Sequence, residues 1–429
     1  MLANSAANAI FGRFVACSKL RFFLSLFLPL SLIYGATASW QLPQDFDALT
    51  NAVTAWHIGK SGSPMLPGYE YLTTAPYVTF MGSFMNAPGG TTSVAPPGAA
   101  LLAAPLYAFT PGELQMFALL YVFTPAELQV FEIYNQEKLD FGAVGIPLPP
   151  LWPATFVAVF ATAAAMSILG LAFLQQGAPN EAWAAAWIAA LGTSAWSVAS
   201  DALFMHGPAM LWIALGVYLS SQQRYWTAGL SLGAAVLSRP HTAVIPAALG
   251  IGISAFTRNL RPIAHIGLAS SLGVLALVAY NFVAFDKASI LAGYSGAFAR
   301  RLVAPDPFFF FNNLFGGLFA PSQGFLVLSP FLLLLVPGLC PAWRHSAPWV
   351  RSAAVGGLVY LLLQFKMNRY DPANSTLYRY PLEALTASAP LWFAAYLYWL
   401  KGAGGIWRRL LPKAVVLAIG IQIAAILLI

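Results

Sequence analysis

Apolar runs of about 20 residues recur along the whole chain, among them LRFFLSLFLPLSLIYGATAS, WPATFVAVFATAAAMSILGLAFL and LPKAVVLAIGIQIAAILLI. Each is long enough to cross roughly 30 Å of hydrocarbon as a helix. Hydrocarbon offers a bare backbone no water to bond, so such runs must close their own hydrogen bonds as helices. Composition agrees: hydrophobic residues make up 59% of the chain and charged residues only 8%. Soluble chains carry about 25% charge, and no soluble domain hides this much apolar surface. The expectation is an all-α polytopic membrane protein, one integral unit over residues 1–429. The net charge of +7 does not point to nucleic acid, because the basic residues are scattered through short loops.

Hydropathy predicts roughly eleven spans: Leu20–Ser39, Trp152–Leu174, Ala182–Val198, His206–Ser221, Tyr225–Leu237, Thr242–Phe256, Ile263–Phe285, Phe325–Cys340, Val350–Phe365, Leu382–Leu400 and Leu411–Ile429. The first lacks a clean small-residue cleavage site after Ser39 and reads as a retained helix, not a signal peptide. With the N-terminus in the cytoplasm, inner segments hold Arg13, Lys19, Arg21, Arg224, Arg258, Arg261, Arg344, Arg351, Lys401, Arg408, Arg409 and Lys413. Glu181 is their one acid; the other thirteen of the fourteen acids fall outside. This satisfies the positive-inside rule in nearly every short loop. Carboxylates gathered on one face beside apolar walls predict a one-sided site for chemistry or binding. Cys17 and Cys340 both fall on the inner side, far apart in sequence, and read as ordinary cysteines.

Most non-membrane residues lie outside, in a first loop over 40–151 and in further loops over 286–324 and 366–381. The first loop is rich in Pro, Gly and aromatics and reads as a partly embedded cap. PPGAALLAAPLYAF, Pro96 to Phe109, is short for a span and reads as a surface-lying helix. A near-repeat follows, YAFTPGELQMFALL then YVFTPAELQVFEIY, which reads as two short tandem helices. FFFFNNLF, Phe308 to Phe315, reads as an interfacial aromatic belt, with packing against a prenyl chain as the alternative.

Several segments in order carry a family resemblance. An Asp-headed helix, DALTNAVTAWHIGKSG, follows the first span, and PPGAALLAAPLYAF comes next. MHGPAMLWIALGVYL, GLSLGAAVLSRPHTAVIPAAL and LFAPSQGFLVLSPFLLLLVPGL complete the series. Together these resemble the GT-C superfamily of membrane glycosyltransferases, closest to the bacterial protein O-mannosyltransferase and lipid A aminoarabinose transferase type. The resemblance runs from about Leu20 to Leu400. It implies a sugar donor on a polyprenyl phosphate and a lipid, glycan or protein acceptor. It implies transfer to an acceptor hydroxyl at the outer face of a bacterial inner membrane. It implies no nucleic-acid partner and no certain cofactor, although a divalent cation assists some relatives.

The resemblance makes Asp47 the candidate general base, standing before ALTNAVTAWHIGKSG. Many relatives have Asp-Glu there, whereas Ala48 follows here, so a second carboxylate would have to be Asp45, Glu70 or another acid. Two other readings stay open: Asp47 as a helix cap, or Asp45 as the base. Candidates for the donor phosphate are Arg239, Arg300, Arg301, Arg369 and Arg379, each of which also suits a plain interface anchor. Candidates for the substrate cavity are His206, His57, Glu70 and Tyr294. No His, Cys or carboxylate group has zinc spacing. A transporter or lipid flippase is the competing class, but the halves show no repeat and few charges lie within spans. A non-catalytic partner subunit of the same fold is the third reading.

Overall fold

The computed structural model describes residues 19–40, 46–73, 83–110, 149–293, 300, 301, 303, 306–321, 323–368, 379–402 and 405–428. Among the described residues, five helices are long and apolar enough to cross a membrane on their own: Lys19–Thr37, Trp152–Leu174, Pro240–Thr257, Arg261–Phe285 and Ile406–Leu427. The other expected spans coincide with shorter or interrupted helices, apart from Val350–Phe365, which lies within the 20-residue helix Pro348–Met367. Leu268, Leu272, Leu275 and Phe282 on one helix, and Val416, Leu417 and Leu427 on another, turn outward. Water would not tolerate such stripes, and lipid does.

Helix α1 (Lys19–Thr37) packs on α4 (Trp152–Leu174). Between them in sequence come α2 (Phe46–Ser61), a hairpin of β1 (Phe84–Ala87) and β2 (Gly90–Ser93), and α3 (Gly98–Phe109). The antiparallel hairpin pairs Phe84 with Ser93 and Ala87 with Gly90, a small strand element inside an otherwise helical chain that was expected to be all-α. α3 covers the segment whose expected form was a surface-lying helix, and helix is what forms there. It buries Ala99, Ala100, Ala103 and Tyr107 against the bundle and turns Leu101 and Phe109 outward.

Helices α5 (Pro179–Leu191), α6 (His206–Ser221), α7 (Tyr225–Ser238), α8 (Val244–Thr257) and α9 (Arg261–Phe285) follow. The third expected span is interrupted: α5 stops before Gly192, and a π turn over Ala195–Ala199 takes up the rest. The later elements are α10 (Pro307–Phe319), α11 (Phe325–Leu328), α12 (Phe331–Leu335), α13 (Leu339–His345), α14 (Pro348–Met367), α15 (Leu382–Ala395) and α16 (Ile406–Leu428). The span expected over Phe325–Cys340 is thus three pieces. Pro330 has no N–H and pushes Ser329 out of helical geometry, and Pro337 falls in a 3-10 turn.

The helices close a ring. α6 packs on α7, α7 on α9, α9 on α8, α8 on α14, α14 on α15, and α15 returns to α6. α7 and α9 meet through small residues four apart, Gly229 and Gly233 against Ala269 and Gly273. A Cβ on Gly273 would lie 2.2 Å from the Gly233 carbonyl oxygen, whereas one on Gly267 of the same helix would meet nothing. Small residues let membrane helices approach to backbone contact. Gly273→Leu is therefore expected to cost about 1–3 kcal/mol or more by overpacking. Gly267→Leu should leave thermal unfolding in detergent unchanged, and equal behaviour of the two would contradict the packing.

α10 carries the aromatic run Phe308 to Phe315. Phe308, Phe311, Phe315 and Phe319 face outward, Asp306 caps the helix by accepting from the Phe309 N–H at 2.9 Å, and buried Asn313 donates to the Phe365 carbonyl of α14 at 2.9 Å. The tandem near-repeat lies outside the described residues apart from its first four positions, as does Cys17. Cys340 is a free, exposed thiol.

Candidate active site

Five helix ends converge at one end of the bundle, and the chain's local chemistry puts a polar group on each. Arg239 follows α7 because Pro240 forces its predecessor into extended backbone, φ −148° and ψ 103°, ending the helix. The Arg239 carbonyl then accepts from the N–H and the hydroxyl of Thr242, at 2.9 and 2.8 Å. His206 opens α6, Glu383 lies in the first turn of α15, Gln364 lies in the last turn of α14, and Asp47 lies in the first turn of α2.

Two motif glycines set this convergence by leaving no room for a side chain. A Cβ on Gly98 of the Pro-Pro-Gly segment would stand 2.3 Å from the backbone nitrogen of Ser238, the residue before Arg239. A Cβ on Gly207 would stand 2.8 Å from the Ala199 carbonyl and the Thr162 hydroxyl oxygen. The small residues of these two motifs thus hold Arg239 and His206 where they are.

Three of the groups form a buried chain. Glu383 is fully buried, and its Oε1 lies 2.9 Å from His206 Nδ1 and 3.4 Å from Arg239 Nε. Arg239 Nη1 lies 2.8 Å from His206 Nε2. The same Nη1 also lies 2.9 Å from His206 Nδ1, and because a guanidinium only donates, the imidazole takes the accepting role toward Arg239. Arg239 Nη2 also donates to the Gln364 side-chain oxygen at 3.5 Å, and Asn368 donates to that same oxygen. The buried Glu383 charge faces opposite charge from Arg239, the pairing that a buried carboxylate needs.

Asp47 stands beside this chain. Its Oδ2 accepts from Arg379 Nη2 at 2.5 Å, and the guanidinium of Arg379 lies over the Phe204 ring with 4.9 Å to the centroid. Tyr380 joins the two groups. Its ring faces Arg379 at 5.8 Å and Arg239 at 5.6 Å, and meets the His206 ring edge-on at 6.1 Å. The carboxylate of Asp47 is partly exposed, whereas Glu383 is sealed in. Asp47 lies within the first turn, so its side chain serves an ion pair and not the helix start alone. Asn51, one turn on, donates to the Leu203 carbonyl at 2.9 Å and ties α2 to the segment carrying Phe204.

Of the sequence candidates, Asp47, Arg239, Arg379 and His206 come together. Glu70 accepts from the Gly68 N–H in an exposed turn. His57 sits between the Trp56 and Tyr69 rings near the far end of α2, where burial pulls its imidazole below the usual range. Arg300 and Arg301 are exposed, with Arg301 over the Phe309 ring, and neither joins the Asp47–Glu383 group. Asp45, Arg369 and Tyr294 lie outside the described residues. Asp201, near His206 in sequence, accepts instead from the Ser39 N–H at 3.0 Å and the Ser39 hydroxyl at 3.1 Å, anchoring the end of α1. Sequence reasoning missed Glu383, Gln364 and Tyr380. An acid one residue inside an expected span was the available signal for Glu383.

Among the described residues no group of three His, Cys, Asp or Glu could hold a metal ion. Asp47 pairs with a guanidinium, which does not fit a divalent cation at that carboxylate. The arrangement fits an anion better. Two guanidiniums, an aromatic platform and the N-terminal ends of α2, α6 and α15 meet beside one accessible carboxylate.

No protein-family profile and no curated protein matches the chain. Among solved structures, the apo-state crystal structure of ArnT from Cupriavidus metallidurans matches 95% of this chain and 76% of its own, at a TM-score of 0.51 and 13% identity. At that identity the likeness is one of fold alone: this chain is folded like that ArnT structure.

Proposed function

We propose that the chain is a glycosyltransferase that moves a sugar from a polyprenyl-phosphate donor to an acceptor hydroxyl at the extracytoplasmic face of a bacterial inner membrane. The observation that carries this reading is the accessible Asp47 carboxylate paired with Arg379, beside the buried Arg239–His206–Glu383 chain. In the proposed reaction Asp47 takes the proton of the acceptor hydroxyl while the acceptor oxygen bonds to the anomeric carbon. The bond from that carbon to the phosphate oxygen breaks, and polyprenyl phosphate leaves with the electron pair. A donor phosphate competes with Asp47 for Arg379, so binding the donor would free the carboxylate for the acceptor. Arg239, fixed by His206, Glu383 and Gln364, is placed to share the charge that grows on the leaving phosphate. General-base help to a hydroxyl is commonly worth about 10²–10⁴-fold. The acceptor is a lipid, a glycan or a protein.

The proposed topology has roughly eleven crossings, the N-terminus in the cytoplasm and the Asp47 end outside. Mass spectrometry of lipids co-purified with the protein tests the donor class. A polyprenyl-phosphate sugar is expected, and its absence from wild type and from a transfer-dead variant alike would remove the reading. Arg379→Ala is expected to raise the KM for donor by tenfold or more, because truncating one partner of a charged hydrogen bond costs about 2–5 kcal/mol. An unchanged donor KM would take Arg379 out of phosphate binding.

A further inference from the structure

The same bundle holds a second feature that sugar transfer does not use. Between α4, α5, α6, α12 and α15 lies a cavity of about 390 Å³, walled by Leu169, Phe173, Ile188, Phe331, Leu335 and Phe393. Among the described residues, its one charged lining residue, Glu181, stands beside Asn180 at one end, at the start of α5, whereas the hydroxyls of Thr193, Thr386 and Tyr396 add polar atoms elsewhere in a largely apolar wall. Lys401 Nζ closes on Glu181 Oε1 at 2.6 Å, and both side chains keep solvent exposure. This hydrogen bond lowers the pKa of Glu181 and raises that of Lys401, so both remain charged at neutral pH. α4 starts beside Ser39 and Asp201 and α5 starts after α4 ends, so this mouth opens at the end of the bundle opposite Asp47.

An apolar chamber of this size has no use for water, which needs several polar partners to be held. It has room for on the order of a dozen methylenes, if each takes roughly the 30 Å³ of a water in the liquid. Within a bilayer the available occupant is a hydrocarbon chain, and the mouth selects its headgroup. An anion and a cation side by side complement an ammonium and a phosphate. A headgroup of net negative charge would set its phosphate beside Glu181 with Lys401 alone to balance both. We propose that this cavity holds one acyl chain of a zwitterionic phospholipid, with its ammonium on Glu181 and its phosphate on Lys401. The deep end of the cavity reaches Met210 and Thr386, one turn along α6 from His206 and one turn along α15 from Glu383. The bound chain therefore braces the floor beneath the buried chain of the active site.

The test uses the full-length protein, delipidated in detergent and titrated with phosphatidylethanolamine or phosphatidylglycerol of identical acyl chains, with adducts read by native mass spectrometry. Phosphatidylethanolamine should bind about threefold or more tightly than phosphatidylglycerol, the scale of one exposed charge contact. Ala189→Trp fills the bore and should weaken phosphatidylethanolamine binding by more than about tenfold. Leu272→Trp, on the outward face of α9, should not. Glu181→Gln changes only the mouth, removes the carboxylate that favours the ammonium and disfavours a net negative headgroup, and should abolish the preference for phosphatidylethanolamine even if Ala189→Trp fails to fold. Equal binding of the two lipids to the wild type, or a folded Ala189→Trp that binds as the wild type does, would overturn the proposal. None of these readouts depends on sugar transfer or on which membrane face the mouth occupies.

Discussion

Asp47→Asn should lower the turnover of sugar transfer by about 10²–10⁴-fold while leaving the protein folded and its donor affinity near wild type. The amide still accepts a hydrogen bond from Arg379 but cannot take the acceptor's proton. The two roles proposed for this pair therefore separate kinetically: Asp47→Asn lowers kcat, and Arg379→Ala raises the KM for donor. Donor lipid should accumulate on the Asp47→Asn protein, because binding outlives turnover. Transfer within about tenfold of wild type would move the base elsewhere, with Asp45 the next carboxylate to examine. A partner subunit without activity of its own would show no change at all.

Glu383→Leu is the second large effect, and it falls on stability. Removing the fully buried carboxylate leaves the Arg239 guanidinium and the His206 ring without the counter-charge they face at 3.4 and 2.9 Å. Taking one partner from a buried ion pair typically costs about 3–5 kcal/mol. The double variant Glu383→Leu/Arg239→Met should recover much of that loss, because replacing both ends of a buried pair with apolar groups is often neutral. It should not recover transfer, since Arg239 is also assigned to the leaving phosphate. Thermal unfolding in detergent separates these outcomes. A single variant that melts with the wild type would show that Glu383 is not the anchor of the buried chain.

Much of this protein was legible from the runs of apolar residues, because a bilayer leaves the backbone few options. The ends of α4, α6, α7 and α9 fall within two residues of the expected spans. Departures come where proline or glycine interrupts an apolar run. Hydropathy reads Phe325–Cys340 as one helix, yet Pro330 and Pro337 divide it. The π turns over Ala195–Ala199 and Tyr396–Leu400 likewise leave no mark on hydropathy, because they change hydrogen-bond register and not composition. The β1–β2 hairpin is four residues a side and too short to assert a pattern of its own.

The sequence by itself determined the solvent this chain must live in and its helical class, which follow from composition and period, both local properties; the candidacy of Asp47 came with the family resemblance. Only the tertiary structure decided that Asp47 faces Arg379 across 332 positions of chain, that Arg239 and His206 both meet Glu383, and that His57, Arg300 and Arg301 stand apart. An arginine at a span end reads the same whether it snorkels or grips a carboxylate. The choice lies in which helix ends meet, and here backbone contacts at Gly98 and Gly207 make it, a matter of space and not of residue chemistry.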